Sequence, residues 1–178
     1  KISSLVDRME GITKQLRFFA QPREIAMEPV DLSAVARSAA EMVAPDALRL
    51  GATIEVAAPE APTLVRGVGL RLEQVAVNLI RNAAQAAAEG GGRVAVAVRV
   101  DDATRTVELI VEDDGPGLQG ATFAALREPF ASSRPSGEGM GLGLAISAEI
   151  MREHNGALEA EDRAEGGARF RATLAEAN

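Results

Sequence analysis

The sequence contains an alternating run of glycines, Gly137, Gly139, Gly141 and Gly143, which leads into an apolar segment typical of a helix, residues 141–153. A glycine inside a helix costs about 1 kcal/mol relative to alanine, so several at a helix start indicate a function. Glycine lets backbone N–H groups approach a ligand closely, and the N–H groups of a first helical turn suit a phosphate. A flexible loop before an ordinary core helix fits this segment equally well.

A second candidate is a stripe of amide side chains on residues 70–88, which have a helical pattern of apolar positions. Gln74, Asn78, Asn82 and Gln85 recur at spacings of four, four and three and therefore share one helix face. Asparagine is a mediocre helix former, and its amide oxygen is a suitable ligand for Mg²⁺. The stripe is either a solvated face or a ligand-binding face.

The third candidate follows a predicted strand and consists of the acidic and glycine-containing segment Glu112–Gly117. It brings a carboxylate and uncovered backbone to the end of that strand. A carboxylate there can accept a hydrogen bond from the exocyclic amine of adenine. A tight turn with solvated acidic side chains is equally compatible with the pattern.

Composition excludes several classes of site. The chain has 178 residues, of which 47% are hydrophobic, which suits one domain with an appendage. Its net charge of −7 argues against general affinity for nucleic acid or anionic membranes and favours cations such as Mg²⁺. The lack of cysteine excludes disulfides and thiolate metal sites and fits a reducing cytoplasm. Lysine occurs only at Lys1 and Lys14, so a Gly-Lys-Ser/Thr phosphate loop is absent.

The first segment has a heptad pattern. Its apolar residues are Ile2, Leu5, Met9, Ile12, Leu16 and Phe19. The pattern predicts a coiled-coil or bundle helix over residues 1–21, paired with another helix, followed by a linker over residues 22–29. A helix that packs on its own domain is the alternative.

The pattern of residues 30–178 predicts a second unit, which contains both helices and strands. The predicted helices are 34–50, 70–88 and 141–153, and the predicted strands are 53–57, 63–65, 93–100, 106–111, 157–161 and 168–174. Residues 112–138 show no regular element beyond a turn of helix near residue 123, and so long a connection is typical of a lid. This order predicts an α+β two-layer sandwich, with helices on one face of a mixed, mainly antiparallel sheet.

The three candidates together resemble the ATP-binding domain of sensor histidine kinases, in the GHKL superfamily (gyrase, Hsp90, histidine kinase, MutL). The four conserved boxes of that domain (N, G1, F and G2) resemble Asn78–Ala83, Asp113–Gly117, Glu128–Phe130 and Gly139–Leu144, in that order. The similarity extends from about residue 29 to the end and is most like kinases of the DctB and NtrB type. It implies the Bergerat ATP-binding fold.

The resemblance implies a role for each matching position. Asn82 would bind Mg²⁺, and Asn78 would support the phosphates and the metal. Asp113 would accept a hydrogen bond from N6 of adenine, in a pocket shaped by Gly115 and Gly117. The other implied ATP-binding residues are Gln85, Phe130, Ser132, Ser133, Arg134, Gly139, Gly141, Leu142 and Gly143.

The implied function is transfer of the γ-phosphoryl group of Mg-ATP to a histidine, for relay to the receiver domain of a response regulator. Residues 1–21 resemble the second helix of the dimerisation and phosphotransfer hairpin, which implies a homodimer. The hairpin helix that carries the phosphoacceptor is not in this sequence, and we predict a structural role for His154, the one histidine. The resemblance also implies a cytoplasmic location, with membrane attachment only through upstream segments.

Three alternatives remain open. Hydrolytic GHKL members favour a glutamate where this chain has Asn78, which disfavours an ATPase. A nucleotide-binding but inactive dimerisation and docking module is disfavoured by the intact Asn82 and Asp113. A dinucleotide-binding fold has one point in its favour, since Gly115–Gly120 formally fits G-x-G-x-x-G, but no clear βαβ unit follows it.

Overall fold

The computed structural model describes residues 26–126 and 142–177. The predicted helix over residues 1–21 lies outside this part of the chain. The helices are α1 Leu32–Arg49, α2 Gly69–Ala87, α3 Phe123–Leu126 and α4 Gly143–Glu153. The strands are β1 Glu28–Asp31, β2 Thr53–Ala57, β3 Leu64–Gly67, β4 Arg93–Asp101, β5 Thr106–Asp113, β6 Ala157–Asp162 and β7 Ala168–Ala175.

Five strands form the main sheet, in the order β2-β4-β5-β7-β6. Strand β2 pairs with β4 in parallel, and the other neighbours are antiparallel. Strands β1 and β3 form a separate antiparallel ribbon. The predicted α+β fold with a mixed, mainly antiparallel sheet is confirmed. The dinucleotide-binding alternative is excluded, because β5 has antiparallel neighbours on both sides and therefore belongs to no βαβ unit of parallel strands.

The two faces of the sheet differ in polarity. Along β4 and β5, alternate valines and leucines such as Val96 and Leu109 are buried beneath the helices. The opposite face carries ion pairs: the guanidinium group of Arg169 lies 2.6 Å from Glu112 and 2.9 Å from Glu161. Among the described residues, α1, α2 and α4 therefore cover the apolar face of the sheet, as the sequence predicts, and α2 packs against both α1 and α4.

Helix α1 begins two residues earlier than predicted because Asp31 caps it. Its Oδ1 accepts hydrogen bonds from the backbone N–H groups of Ser33, at 3.0 Å, and Thr63, at 2.9 Å. The helix continues through Pro45, which is exposed, so water can solvate the carbonyl group that proline leaves without a donor.

Strand β1 includes Glu28 and Pro29, which the sequence analysis assigns to the linker. Its four residues are exposed or half-buried and have no apolar alternation that would reveal a strand. The strand forms because it pairs with β3, whose sequence position also differs slightly from the predicted strand over residues 63–65.

His154 joins the end of α4 to the start of α2. Its Nε2 accepts a hydrogen bond from the backbone N–H of Val68, at 3.1 Å, so Nδ1 carries the proton and donates to the carbonyl of Ile150, at 2.7 Å. The side chain is 7% exposed. Both ring nitrogens thus form hydrogen bonds within the fold, as expected of a structural histidine.

We expect His154→Ala to lower the free energy of unfolding by about 2–4 kcal/mol, because it leaves the Val68 N–H unpaired and removes buried packing. Urea unfolding followed by circular dichroism measures this loss. Arg152→Ala is the matched control, because this exposed residue pairs only with Glu149 on its own helix, and it should change the stability by less than about 0.5 kcal/mol. A similar small change for His154→Ala would contradict the assignment.

Candidate functional site

The amide stripe of α2 begins with a contact to α4. The Asn78 amide nitrogen donates to the carbonyl oxygen of Gly143 and to the hydroxyl of Ser147, both at 3.3 Å. Ser147 is fully buried. A Cβ atom on Gly143 would lie 3.7 Å from the Asn78 side chain, an ordinary van der Waals distance, so this contact does not itself require glycine. Asn78 therefore joins two of the sequence-predicted candidates, the amide stripe and the glycine run.

Two turns further along α2, the backbone meets the third candidate. A Cβ atom on Gly115 would lie 2.5 Å from the carbonyl oxygen of Ala86, so only glycine allows this approach. Asn78, Asn82 and Ala86 are spaced by four residues and follow one line on the helix surface, about 12 Å long. Asn82 thus lies between the contact with α4 and the contact with Gly115. It is half-buried, and its amide group has no hydrogen bond to any other described residue.

Asp113 ends β5 and is 2% exposed. Its Oδ1 accepts hydrogen bonds from the backbone N–H groups of Gly115, at 2.9 Å, and Ala168, at 3.3 Å. Burial raises the pKa of Asp113, while these two hydrogen bonds and the nearby Arg163 cation oppose the rise. Because both backbone donors reach Oδ1, Oδ2 remains available to a ligand donor within the part of the chain that the structure describes.

The turn after Asp113 has a conformation that favours glycine. Gly117 has a φ of +75°, and a Cβ atom on it would lie 2.5 Å from Oδ1 of Asp162. The same carboxylate oxygen accepts from the backbone N–H of Leu118, at 2.6 Å. The turn between β6 and β7 therefore packs directly against this segment.

The N-terminus of α4 has no side-chain cap. Leu142 occupies the cap position and is buried, and within the described residues no side chain caps this end. The first-turn N–H groups are therefore left for water or a ligand. The helix begins at Gly143, the last glycine of the alternating run.

Six predicted site residues lie outside the described residues. They are Phe130, Ser132, Ser133, Arg134, Gly139 and Gly141. Gln85 is half-buried on α2, one turn beyond Asn82. Two cavities of about 400 and 700 Å³ lie near Phe123 and Glu159 at the edge strand β6, and neither is lined by Asn82 or Asp113.

The sequence analysis missed three residues that contact the predicted site: Ser147, Asp162 and Arg163. Ser147 lies one helical turn after Gly143, which is a spacing that could have indicated its contact with Asn78. Asp162 and Arg163 are two charged residues before a glycine turn, a pattern that is common at exposed turns and carries no specific signal.

Asn82 could offer a metal ion one amide oxygen on α2. In residues 26–126 and 142–177, no group of three or more histidine, cysteine, aspartate or glutamate side chains is arranged to hold a metal. A lone amide oxygen such as that of Asn82 fits Mg²⁺, which keeps several waters and is often bound by one or two protein oxygens together with substrate phosphates. The residues therefore suit Mg²⁺ that arrives with a nucleotide. None of the helices described here is long and apolar enough to cross a membrane.

Stability should depend on pH through Asp113. Burial raises its folded pKa above the ordinary 3.8, so the folded state binds more protons in the window between the two values, and the free energy of unfolding falls as the pH rises through it. Asp113→Asn removes this effect. We therefore expect the variant to gain stability relative to the wild type as the pH rises from about 4 towards neutrality.

Urea unfolding at a series of pH values measures this difference. Asp101→Asn is the control, because hydrogen bonds from the Thr104 side chain and nearby backbone lower the pKa of Asp101 below 3.8. Its difference from the wild type should stay constant above about pH 5. A constant difference for Asp113→Asn as well would contradict the effect of burial.

Comparison with known proteins points to the same family as the four sequence boxes do. The family of histidine kinase-, DNA gyrase B- and HSP90-like ATPases matches residues 67–178. The C4-dicarboxylate transport sensor protein DctB of Pseudomonas aeruginosa is 33% identical over 174 residues, which cover 98% of this chain and 28% of DctB. The mycobacterial sensor histidine kinase MprB is 31% identical, with a TM-score of 0.70, over 84% of this chain and 97% of that structure.

A structure of full-length ShkA in complex with AMPPNP is 28% identical, with a TM-score of 0.74, and the match covers 89% of this chain and 33% of that one. The predicted resemblance to sensor histidine kinases is confirmed. This chain spans little more than a quarter of the length of DctB. From the match over residues 67–178 and these similarities, the chain belongs to the family of histidine kinase-, DNA gyrase B- and HSP90-like ATPases.

Proposed function

We propose that this chain binds ATP with Mg²⁺ and acts as the catalytic domain of a two-component sensor histidine kinase. The observation that carries the proposal is the line of contacts along α2. Asn78 contacts the start of α4, Ala86 contacts Gly115 next to the buried Asp113, and Asn82 lies between them without a partner among the described residues. A nucleotide placed along this line would have adenine at Asp113 and its phosphates near Asn82 and α4.

Asp113 would recognise adenine. Its Oδ1 is fixed by two backbone donors, which leaves Oδ2 to accept a hydrogen bond from the exocyclic amine. Gly115 and Gly117 support this role because a Cβ atom on either would collide with Ala86 or Asp162 and displace the turn that follows Asp113.

The phosphates would lie at the N-terminus of α4, where the uncapped N–H groups of the first turn are oriented to neutralise negative charge. Asn82 would contribute one oxygen to Mg²⁺. In phosphoryl transfer the protein chiefly positions the reactants and stabilises charge, so this set of backbone and amide donors suits the reaction.

Hydrolysis of ATP by water is less well supported than transfer to a protein histidine. Asn78 stands where a base would be needed, and its amide nitrogen already donates to Gly143 and Ser147. His154 is buried and engaged at both ring nitrogens, so it does not serve as the phosphoacceptor. The acceptor would therefore be a histidine of the phosphotransfer hairpin, as the resemblance implies.

The same proposal includes the protein's partners and its cellular location. The phosphoryl group would pass to the receiver domain of a response regulator, and the protein would act as a homodimer through the helix predicted over residues 1–21. The names of the relatives, among them DctB and MprB, support a role in sensing. We propose that this part of the protein works in the cytoplasm, where ATP and response regulators are found.

Nucleotide titration tests the proposal directly. The wild-type chain should bind ADP, and Asp113→Ala should weaken binding roughly ten- to a hundredfold, because it removes a charge-assisted hydrogen bond of about 1.5–3 kcal/mol. Isothermal titration calorimetry gives the affinities. Asp101→Ala is the control, since Asp101 lies at the opposite end of the β4–β5 hairpin, and it should bind as the wild type does. Wild-type affinity in Asp113→Ala would rule out the adenine assignment.

The metal assignment has its own test. We expect Asn82→Ala to weaken ATP binding about tenfold in the presence of Mg²⁺ and much less with a chelator, because the lost oxygen contacts the nucleotide through the metal. Arg81→Ala, which changes the neighbouring exposed residue of α2, should leave both affinities unchanged. An equal loss with and without Mg²⁺ would show that Asn82 does not act through the metal.

A further inference from the structure

The β6–β7 turn holds both ends of the segment that follows β5. One terminal guanidinium nitrogen of Arg163 donates to the carbonyl oxygen of Asp113, at 2.7 Å. Oδ1 of Asp162 accepts from the backbone N–H of Leu118, at 2.6 Å. Two consecutive residues thus fix residues 113–118 at their first and last positions.

The turn itself is held by its own hydrogen bonds. The backbone N–H of Arg163 donates to the carbonyl of Gly167, at 2.9 Å, and the N–H of Gly166 donates back to the carbonyl of Arg163, at 3.1 Å. The guanidinium nitrogen that reaches Asp113 also reaches the carbonyl of Gly166, at 3.3 Å. Arg163 therefore links the turn to the end of β5 through one rigid group.

Gly167 allows the turn to come this close. Its φ is +81°, and a Cβ atom there would overlap the carbonyl oxygen of Asp113. The next residue, Ala168, donates its backbone N–H to the Asp113 carboxylate. Both the backbone and the side chain of Asp113 are thus in contact with residues 163–168.

Arg163 is set apart from the surface arginines by its burial. Its side chain is 19% exposed, whereas that of Arg152 is 72% exposed. It also lies 3.8 Å from Glu112 and 3.2 Å from Glu165. With these two carboxylates and the carbonyl groups of Asp113 and Gly166, the guanidinium group has four neighbouring acceptors.

We propose that Arg163 is a positioning residue, which together with Asp162 holds the Asp113 carboxyl group in the orientation that recognises adenine. In this proposal the β6–β7 turn affects which base the site prefers, although neither Arg163 nor Asp162 needs to touch the nucleotide. The inference rests on the proposed function, because it assumes that Asp113 contacts the base.

The test compares two nucleotides that differ where Asp113 would act. Inosine diphosphate carries a carbonyl oxygen in place of the exocyclic amine of ADP, so it gains nothing from a carboxylate acceptor. Calorimetry on wild type and Arg163→Ala should show a loss of about tenfold for ADP and less than about twofold for inosine diphosphate. General damage to the fold would lower both affinities equally.

Two further variants provide an intermediate case and a control for this test. Arg163→Lys retains the charge and one donor but not the fork, so the loss of ADP affinity should be intermediate, about threefold. Arg152→Ala, an exposed arginine remote from the turn, should keep the wild-type affinity for both nucleotides. If Arg163→Ala does not fold, Arg163→Lys still decides: an unchanged preference for ADP overturns the proposal.

A pH profile gives a second readout. The Arg163 cation lowers the pKa of the Asp113 carboxyl group, so its removal should move the acidic loss of ADP affinity to higher pH. An unchanged profile, or equal losses for the two nucleotides, overturns the positioning role while the proposed function stands. Failure of the wild type to bind ADP overturns both.

Discussion

The close approach of Ala86 to Gly115 is the constraint on which the rest of the site depends. Here a helix backbone and a turn backbone meet with no side chain between them. This contact fixes the distance between α2 and the end of β5, and therefore the distance between Asn82 and Asp113. Packing of this kind is rigid, because bulk added at the contact must displace backbone rather than a side chain.

The opposite end of α2 is fixed by polar contacts instead. Asn78 bonds to Gly143 and Ser147, and His154 bonds to Val68 at the start of the helix. Helix α2 is thus tied to β5 at one end and to α4 at the other. Asn82 lies between the contact of Asn78 with α4 and the contact of Ala86 with Gly115. This fixed position suits a side chain that must meet a ligand in a defined place.

Local sequence patterns made much of the fold and of the candidate site predictable. Period-two alternation identified β4 to within one residue and β5 to within two, and the apolar face of α2 identified that helix to within one residue. The order of Asn82, Asp113 and the glycine run predicted a nucleotide site, and the family of the chain agrees with it. These features are local in sequence, so each leaves a readable pattern.

The features that could not be predicted depend on contacts between distant residues. Strand β1 exists only because it pairs with β3, and Arg163 contacts Asp113 across 50 positions of sequence. Nothing in the residues around Arg163 indicates that its side chain reaches β5. The same holds for Asp31, which caps α1 and also accepts a hydrogen bond from Thr63, 32 residues away.

The place of β7 in the sheet has a consequence for biosynthesis. It lies between β5 and β6 although it is the last of the five strands of this sheet to be made. While the ribosome is still adding residues 168–175, the inner edge of β5 has no partner and Asp113 lacks the N–H of Ala168. Nascent chains will therefore emerge with an open sheet edge, and the Asp113 carboxyl group will gain its second backbone donor only after residue 168 has been added.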